Sequence, residues 1–117
     1  MEMYKQQTRF AKDMANLLQH ILSAGFYVTL GEAWRSPEQA EIYAKQGKGI
    51  RNSLHCQRMA IDLNLFTPEG EFITDNSRYE QFGKYWESLD PQNQWGGYFT
   101  KRGGHINDAP HFERKPL

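Results

Sequence analysis

Apolar residues recur at helical spacing near the start of the chain. Phe10, Met14, Leu17, Leu18, Ile21 and Leu22 fall on one face, which predicts an amphipathic helix. Gly25 predicts its end, because glycine accepts the left-handed backbone that closes helices. The period then changes. Phe26, Val28 and Leu30 alternate with Tyr27 and Thr29, predicting a strand that runs toward Arg35. Ser36-Pro37-Glu38-Gln39 combines an N-cap serine, a first-turn proline and a glutamine three residues after the cap. A short helix should follow to about residue 46 and stop at Gly47. After a polar loop, the stretch from Met59 to Phe66 predicts the most apolar strand. Ile61, Leu63 and Leu65 share one of its faces, and Ala60, Asp62 and Asn64 the other.

Thr67-Pro68-Glu69-Gly70 reads as a turn, with Glu71-Phe72-Ile73 returning as the second strand of a hairpin. Asp75-Asn76-Ser77 offers caps for a helix carrying Tyr79, Phe82, Trp86 and Leu89, ended by Asp90-Pro91. Trp95-Gly96-Gly97-Tyr98 predicts a strand or bend, residues 100–110 a polar loop, and His111-Phe112-Glu113 a last short strand. A leading helix followed by short strands mixed with helices places the chain in the α+β class. No repeat, low-complexity run or linker interrupts it, so residues 1–117 are expected to form a single domain.

Composition narrows the function. The 117 residues can enclose one modest core. Lys+Arg and Asp+Glu both number 14, so the net charge is zero and the basic footprint of a nucleic-acid binder is missing. Apolar content is 38%, offset by seven Phe, six Tyr and three Trp, each able to bury a large area. The lone cysteine, Cys56, allows no internal disulfide. Charges at Glu2, Lys5, Arg9, Lys12 and Asp13 break up any signal-peptide core, and no stretch reaches transmembrane length. A monomer made in the cytoplasm, with no membrane insertion, is expected. Work on a substrate beyond the membrane would then need a separate export or holin-type route.

Candidate chemistry centres on the polar face of the central strand. Asp62 sits there in apolar surroundings, where a carboxylate is costly unless it is paired or binds a metal. His55 lies seven residues earlier, where a loop enters that strand. Imidazole and carboxylate both suit zinc, and His111, at another loop-to-strand boundary, is a good third ligand that would leave one position open for water. Asp108 stands three residues before His111, across the stiff Ala109-Pro110 link. It could move a proton from water to a leaving amine, or simply cap a loop. Arg35 could stabilise charge on a substrate carbonyl, or form a surface ion pair.

Ser53-Leu54-His55-Cys56-Gln57-Arg58-Met59-Ala60-Ile61-Asp62 resembles the Ser-x-His-x-x-Gly-x-Ala-x-Asp motif of the D-alanyl-D-alanine carboxypeptidase family. Asp108-Ala109-Pro110-His111-Phe112-Glu113 resembles its closing Asp/Glu-x-x-His motif, and Trp95-Gly96-Gly97 the Trp-Gly-Gly before it. Glu32-Ala33-Trp34-Arg35-Ser36 resembles the upstream segment with its substrate-polarising arginine. That family includes D-Ala-D-Ala dipeptidases and the L-alanyl-D-glutamate endopeptidases of phage endolysins.

The resemblance implies a small Hedgehog-like fold, an antiparallel sheet with helices on one face. It also implies a zinc-dependent cut in the peptidoglycan stem peptide. It assigns His55, Asp62 and His111 to Zn2+, Asp108 to general base and acid, and Arg35 to carbonyl stabilisation. The aspartate at 108 and the small size are most like the endolysin branch.

Two residues depart from the pattern. Arg58 replaces the motif's glycine, so a glycine-only backbone there would require a reshaped loop. Tyr98 stands where endolysin-like members often carry Asp. Among the remaining candidates, Trp95 has the best claim of the tryptophans to touch substrate, and Ser53 could orient substrate or a ligand. His105 and Cys56 imitate ligands by spacing or adjacency, and His20 belongs to the first helix.

Overall fold

A computed structural model describes residues 1–49 and 53–117. Its elements are α1 (Met3–Ser23), β1 (Tyr27–Leu30), α2 (Pro37–Lys45), a 3-10 turn (Leu54–Gln57), β2 (Ala60–Phe66), α3 (Asn76–Leu89), β3 (Asn93–Trp95), a 3-10 segment (Gly96–Arg102) and β4 (His111–Arg114). The strands form one antiparallel sheet in the order β1-β2-β4-β3. The chain is α+β, as its pattern predicts. Among the described residues no helix is long and apolar enough to cross a membrane.

The core lies between the sheet and the two longer helices. Phe10, Met14, Leu17 and Ile21 come from α1, and Tyr79, Phe82 and Trp86 from α3. They meet Ile61, Leu63 and Leu65, the apolar face of β2. Each such side chain, fully buried, contributes about 1.5–3 kcal/mol. Phe10 and Phe112 both pack edge-on against Trp86, at centroid distances of 5.5 and 6.2 Å. Leu22, predicted on the same face, is 53% exposed instead. The buried stripe of α1 is the narrower one through Leu17 and Ile21.

β2 changes partners along its length. Ala60, Ile61 and Asp62 pair with β4, whereas Leu63 to Phe66 pair with β1. The backbone freed by this switch finds other partners. Tyr79 Oη donates to Leu63 O at 2.9 Å and accepts from Leu65 N at 3.3 Å. Leu63 N donates to Pro110 O at 2.9 Å. Asp62 therefore stands at the crossing, directly opposite His111.

Three boundaries differ from expectation. The hairpin turn forms, with Gly70 at φ 88° and Thr67 N donating to Glu71 O at 2.8 Å. The returning strand is reduced to one bridge between Phe66 and Phe72. Ile73 turns into the core and Asp75 already caps α3, so no length remains for a ladder. β1 ends at Leu30, although single bonds from Gly31 N to Asp62 O (2.7 Å) and from Asp62 N to Glu32 O (3.0 Å) carry its line onward. The Trp-Gly-Gly segment ends a strand at Trp95 and starts the 3-10 segment, which extends into the predicted loop.

Candidate active site

The polar face of β2 carries the site. His55 is presented by the 3-10 turn, whose first free N–H groups need a cap. Ser53 Oγ supplies it by accepting from His55 N at 3.2 Å. The turn closes on Arg58 in a left-handed conformation (φ 56°, ψ 35°). The loop is thus not reshaped where the motif's glycine is missing, and arginine adopts the backbone that glycine would take. Its guanidinium lies 5.1 Å from the ring centre of Trp34, a compensating cation–π contact.

His55 Nε2 is 3.2 Å from His111 Nδ1, and Asp62 Oδ1 is 3.4 Å from each of those nitrogens. Three corners of a tetrahedron with zinc-like bonds of about 2.0–2.1 Å lie roughly 3.3 Å apart. The observed triangle has that size. Its donor set of two imidazoles and one carboxylate also suits zinc. Asp62 Oδ1 is buried without a hydrogen-bond partner among the described residues. Such an orphaned atom is costly in a closed core and natural beside a cation.

Charge favours a cation as well. Burial opposes ionisation of Asp62, but His111 and His55 outweigh it and hold its carboxyl well below the ordinary range. Burial likewise opposes protonation of His111. Asp62 and then Glu113 outweigh it and push the imidazole up to about 9. A metal ion would take the place of that proton at Nδ1.

Glu113 is a residue the sequence reading passed over. It follows His111 by two positions in β4, hence on the same face, and its Oε1 lies 2.7 Å from His111 Nε2. A carboxylate on the far nitrogen fixes the tautomer that leaves Nδ1 free to bind a metal. The signal was present in the predicted strand His111-Phe112-Glu113, where alternation alone puts the two side chains together. Glu32 was missed in the same way. Its Oε1 accepts from Arg35 Nε at 2.8 Å, forms an ion pair with Arg35 Nη2, and lies 3.7 Å from His55 Nδ1. Arg35 stacks over Tyr43, 4.9 Å from the ring centre.

Glu32, Arg35, Tyr43, Lys48, Asp62 and Asp108 line one polar cleft. Asp108 is open to solvent on one side and crowded by protein on the others. That crowding pushes its carboxyl above the ordinary range; the attraction of His111 opposes the shift and the charge of Asp62 adds to it. Its backbone is held tightly. Asp108 N donates to Gly96 O at 2.9 Å, and His111 N to Asp108 O at 3.0 Å. A Cβ on Gly96 would lie 2.1 Å from Asp108 O, so only glycine fits there. Trp95 Nε1 donates to Ala109 O at 2.7 Å.

Trp95 is fully buried, packed against Gly83 and Gly97, which leaves no room for a Cβ at either. Its ring therefore meets the core, and the expected substrate contact is replaced by support of the 108–111 turn. Ser53 is also buried, with its hydroxyl engaged as the cap of His55. Tyr98 stays outside the cleft. Its hydroxyl donates to Glu80 Oε2 at 2.8 Å, and burial together with that carboxylate pushes its pKa up to about 12. His20 stacks on Tyr85 at 3.8 Å, His105 is exposed, and Cys56 Sγ lies 3.9 Å from Ser36 O. None of these three joins the His55–Asp62–His111 triangle.

Residues 46–114, more than half of the chain, match the family model of D-alanyl-D-alanine carboxypeptidase. The chain belongs to this family. The matched D-alanyl-D-alanine carboxypeptidase segment contains His55, Asp62, Asp108 and His111, while Glu32 and Arg35 precede it. No individual curated protein sequence matches the chain. Among solved structures, this family member is similar to the L-Ala D-Glu endopeptidase ChiX of Serratia marcescens. Identity is 19%, the TM-score is 0.71, and the match covers 91% of this chain and 77% of that one. It is also similar to a mutant of the vancomycin-resistance D,D-pentapeptidase VanY from a VanB-type cassette, in complex with Zn(II). There identity is again 19%, with a TM-score of 0.61 and coverage of 91% and 70%. At this identity the two structures speak for a shared fold.

Proposed function

We propose that this chain is a single-domain zinc peptidase, spanning residues 1–117, that hydrolyses a peptide bond of the peptidoglycan stem peptide. The bond is L-Ala–D-Glu, and the biological role is phage-type lysis of the cell wall. The observation that carries this reading is the triangle of His55 Nε2, Asp62 Oδ1 and His111 Nδ1, with edges of 3.2 and 3.4 Å, facing a cleft that holds Asp108 and Arg35. The likeness to an L-Ala D-Glu endopeptidase favours that bond. The family's own description favours a second reading, a D-Ala-D-Ala carboxypeptidase working with the same residues.

In this reading His55, Asp62 and His111 hold zinc. Held there, zinc would supply Lewis-acid chemistry to the hydrolysis. Asp108 takes the proton of the attacking water and returns it to the leaving amine. A carboxyl shifted upward suits both halves of that transfer, since it binds the proton more readily than an ordinary aspartate. Arg35, anchored by Glu32 and Tyr43, presents a fixed cation to the charge developing on the carbonyl oxygen. Trp95 and Gly96 hold the backbone from which Asp108 reaches the cleft.

The test is digestion of purified cell walls by the zinc-loaded chain, with mass spectrometry of the fragments. New D-Glu amino termini and L-Ala carboxyl termini, lost on chelation and restored by zinc, are expected. Free D-alanine as the sole product would replace the endopeptidase reading with the carboxypeptidase one. Walls and stem peptides both left intact by zinc-loaded protein would reject the peptidase reading.

A further inference from the structure

Among the described residues, five charged side chains line the polar cleft, and four of them are accounted for. Glu32 anchors Arg35 in an ion pair, and Arg35 is assigned to the scissile carbonyl. Asp62 belongs to the triangle, and Asp108 to proton transfer. Lys48 is the fifth. Every Asp and Glu of the chain lies among the described residues, and none pairs with Lys48. Its position is nevertheless set by the fold. Gly47 takes a left-handed backbone (φ 73°) at the end of α2, and Lys48 N donates to Tyr43 O at 2.8 Å. Arg35 precedes α2 and Lys48 follows it, so one capped helix presents both cations to one cleft. The loop keeps ordinary contact with the arginine, since a Cβ on Gly49 would lie 3.5 Å from Arg35 Nη1.

With Arg35 paired to Glu32 and Asp62 assigned to the metal, the charges left in the cleft among the described residues are Asp108 and Lys48. A substrate carboxylate that enters beside Asp108, away from the metal, needs a cation of its own. We propose that Lys48 is the specificity residue that binds a free carboxylate of the substrate, carried on the residue whose nitrogen becomes the leaving amine. The substrate class is thus an N-acyl amino acid with an unblocked α-carboxylate. D-Glu linked onward through its side chain and a terminal D-Ala both satisfy it. Recognition of this group, rather than of either side chain, is what the cleft selects. The proposal rests on the peptidase reading above.

The test uses the full zinc-loaded chain and two matched peptide pairs. One pair carries L-Ala–D-Glu with its α-carboxylate either free or amidated, and the other a terminal D-Ala–D-Ala with the same two forms. A charge-assisted contact is worth a preference of about 10- to 100-fold in kcat/KM. The wild-type chain is expected to show it on one pair, mostly in KM and shrinking as salt rises. Lys48→Gln should bring the carboxylate-to-amide ratio close to one, and Lys48→Arg should keep most of it. Equal cleavage of both forms by the wild type, or an unchanged ratio in Lys48→Gln, would overturn the proposal.

Calorimetric binding of the same peptides separates this failure from failure of the reading beneath it. Carboxylate-selective binding that needs Lys48, without cleavage, would reject only the peptidase reading. Equal binding of both forms in a chain that cleaves neither would overturn the Lys48 proposal as well.

Discussion

His111 and Lys48 belong to the same site but are held in different ways. His111 is fixed by strand register opposite Asp62, by Glu113 on its outer nitrogen and by the Phe99 ring at 5.5 Å. Lys48 is exposed and held by one backbone bond behind a short helix. A metal site tolerates errors of only a few tenths of an ångström, so Asp62 and His111 sit on paired strands, His111 has an outer partner in Glu113, and His55 sits on a capped 3-10 turn. A flexible ammonium can find a carboxylate over a wider range, so a loop suffices. The metal side of the cleft is therefore over-determined, while the substrate side is free to change with specificity.

The largest effect should come from the one cleft carboxylate that lies outside both the triangle and the Glu32–Arg35 pair. Asp108→Ala is expected to lower kcat by about 10²- to 10⁴-fold, the usual scale for a positioned acid or base. Zinc content should stay at one per chain by metal analysis, because the triangle is untouched. Loss of zinc along with activity would move Asp108 from proton transfer to metal binding. The next effect tests the outer partner. Glu113→Ala should weaken zinc binding by about 10- to 100-fold in chelator competition. Glu113→Gln, which can still accept from His111 Nε2, should recover part of the loss. Equal affinity in all three proteins would leave the 2.7 Å contact with no role in the site.

The support beneath Asp108 should show a smaller effect of mixed kind. Trp95→Phe removes the donor to Ala109 O and leaves a buried carbonyl unpaired. The cost is about 1–3 kcal/mol of stability, read as the midpoint of urea unfolding. If the bond also aims the 108–111 turn, kcat should fall while zinc affinity holds. A stability loss without any change in kcat would make Trp95 a core residue only.

These contrasts explain what was legible in the sequence. The long helices and the central strand were readable because their apolar periods are clean. Asp62 stood out as a carboxylate in an apolar strand, and His55 and His111 as imidazoles at strand entrances. Glu113 and Glu32 were not seen, because their importance depends on which nitrogen of each histidine points inward, a matter of three-dimensional register. Trp95 was misplaced for a related reason. Its neighbouring glycines suggested an open backbone near substrate, whereas they make room for the indole itself. The weak return strand at Phe72 failed because a cap at Asp75 competed for the same few residues.

Arg58 gives the smallest effect and the one whose sign is informative. It is the only non-glycine residue with positive φ among those described. A left-handed backbone costs an L-residue about 1–2 kcal/mol, and glycine removes that cost. Against this, glycine loses more chain entropy on folding, about 0.5–1 kcal/mol, and the cation–π contact with Trp34 disappears, a further ~0.5 kcal/mol at an exposed site. The gain and the losses nearly cancel, so Arg58→Gly should leave stability within about 1 kcal/mol of the starting protein. Arg58→Ala keeps the strained backbone and loses the contact, so it should fall below Arg58→Gly. Thermal unfolding of the three zinc-loaded proteins gives the order. An alanine variant more stable than the glycine one would mean that the left-handed turn does not persist in solution. The 3-10 turn that presents His55 would then rest on the Ser53 cap and on the bonds from Arg35 N to His55 O and from Gln7 Nε2 to Gln57 O.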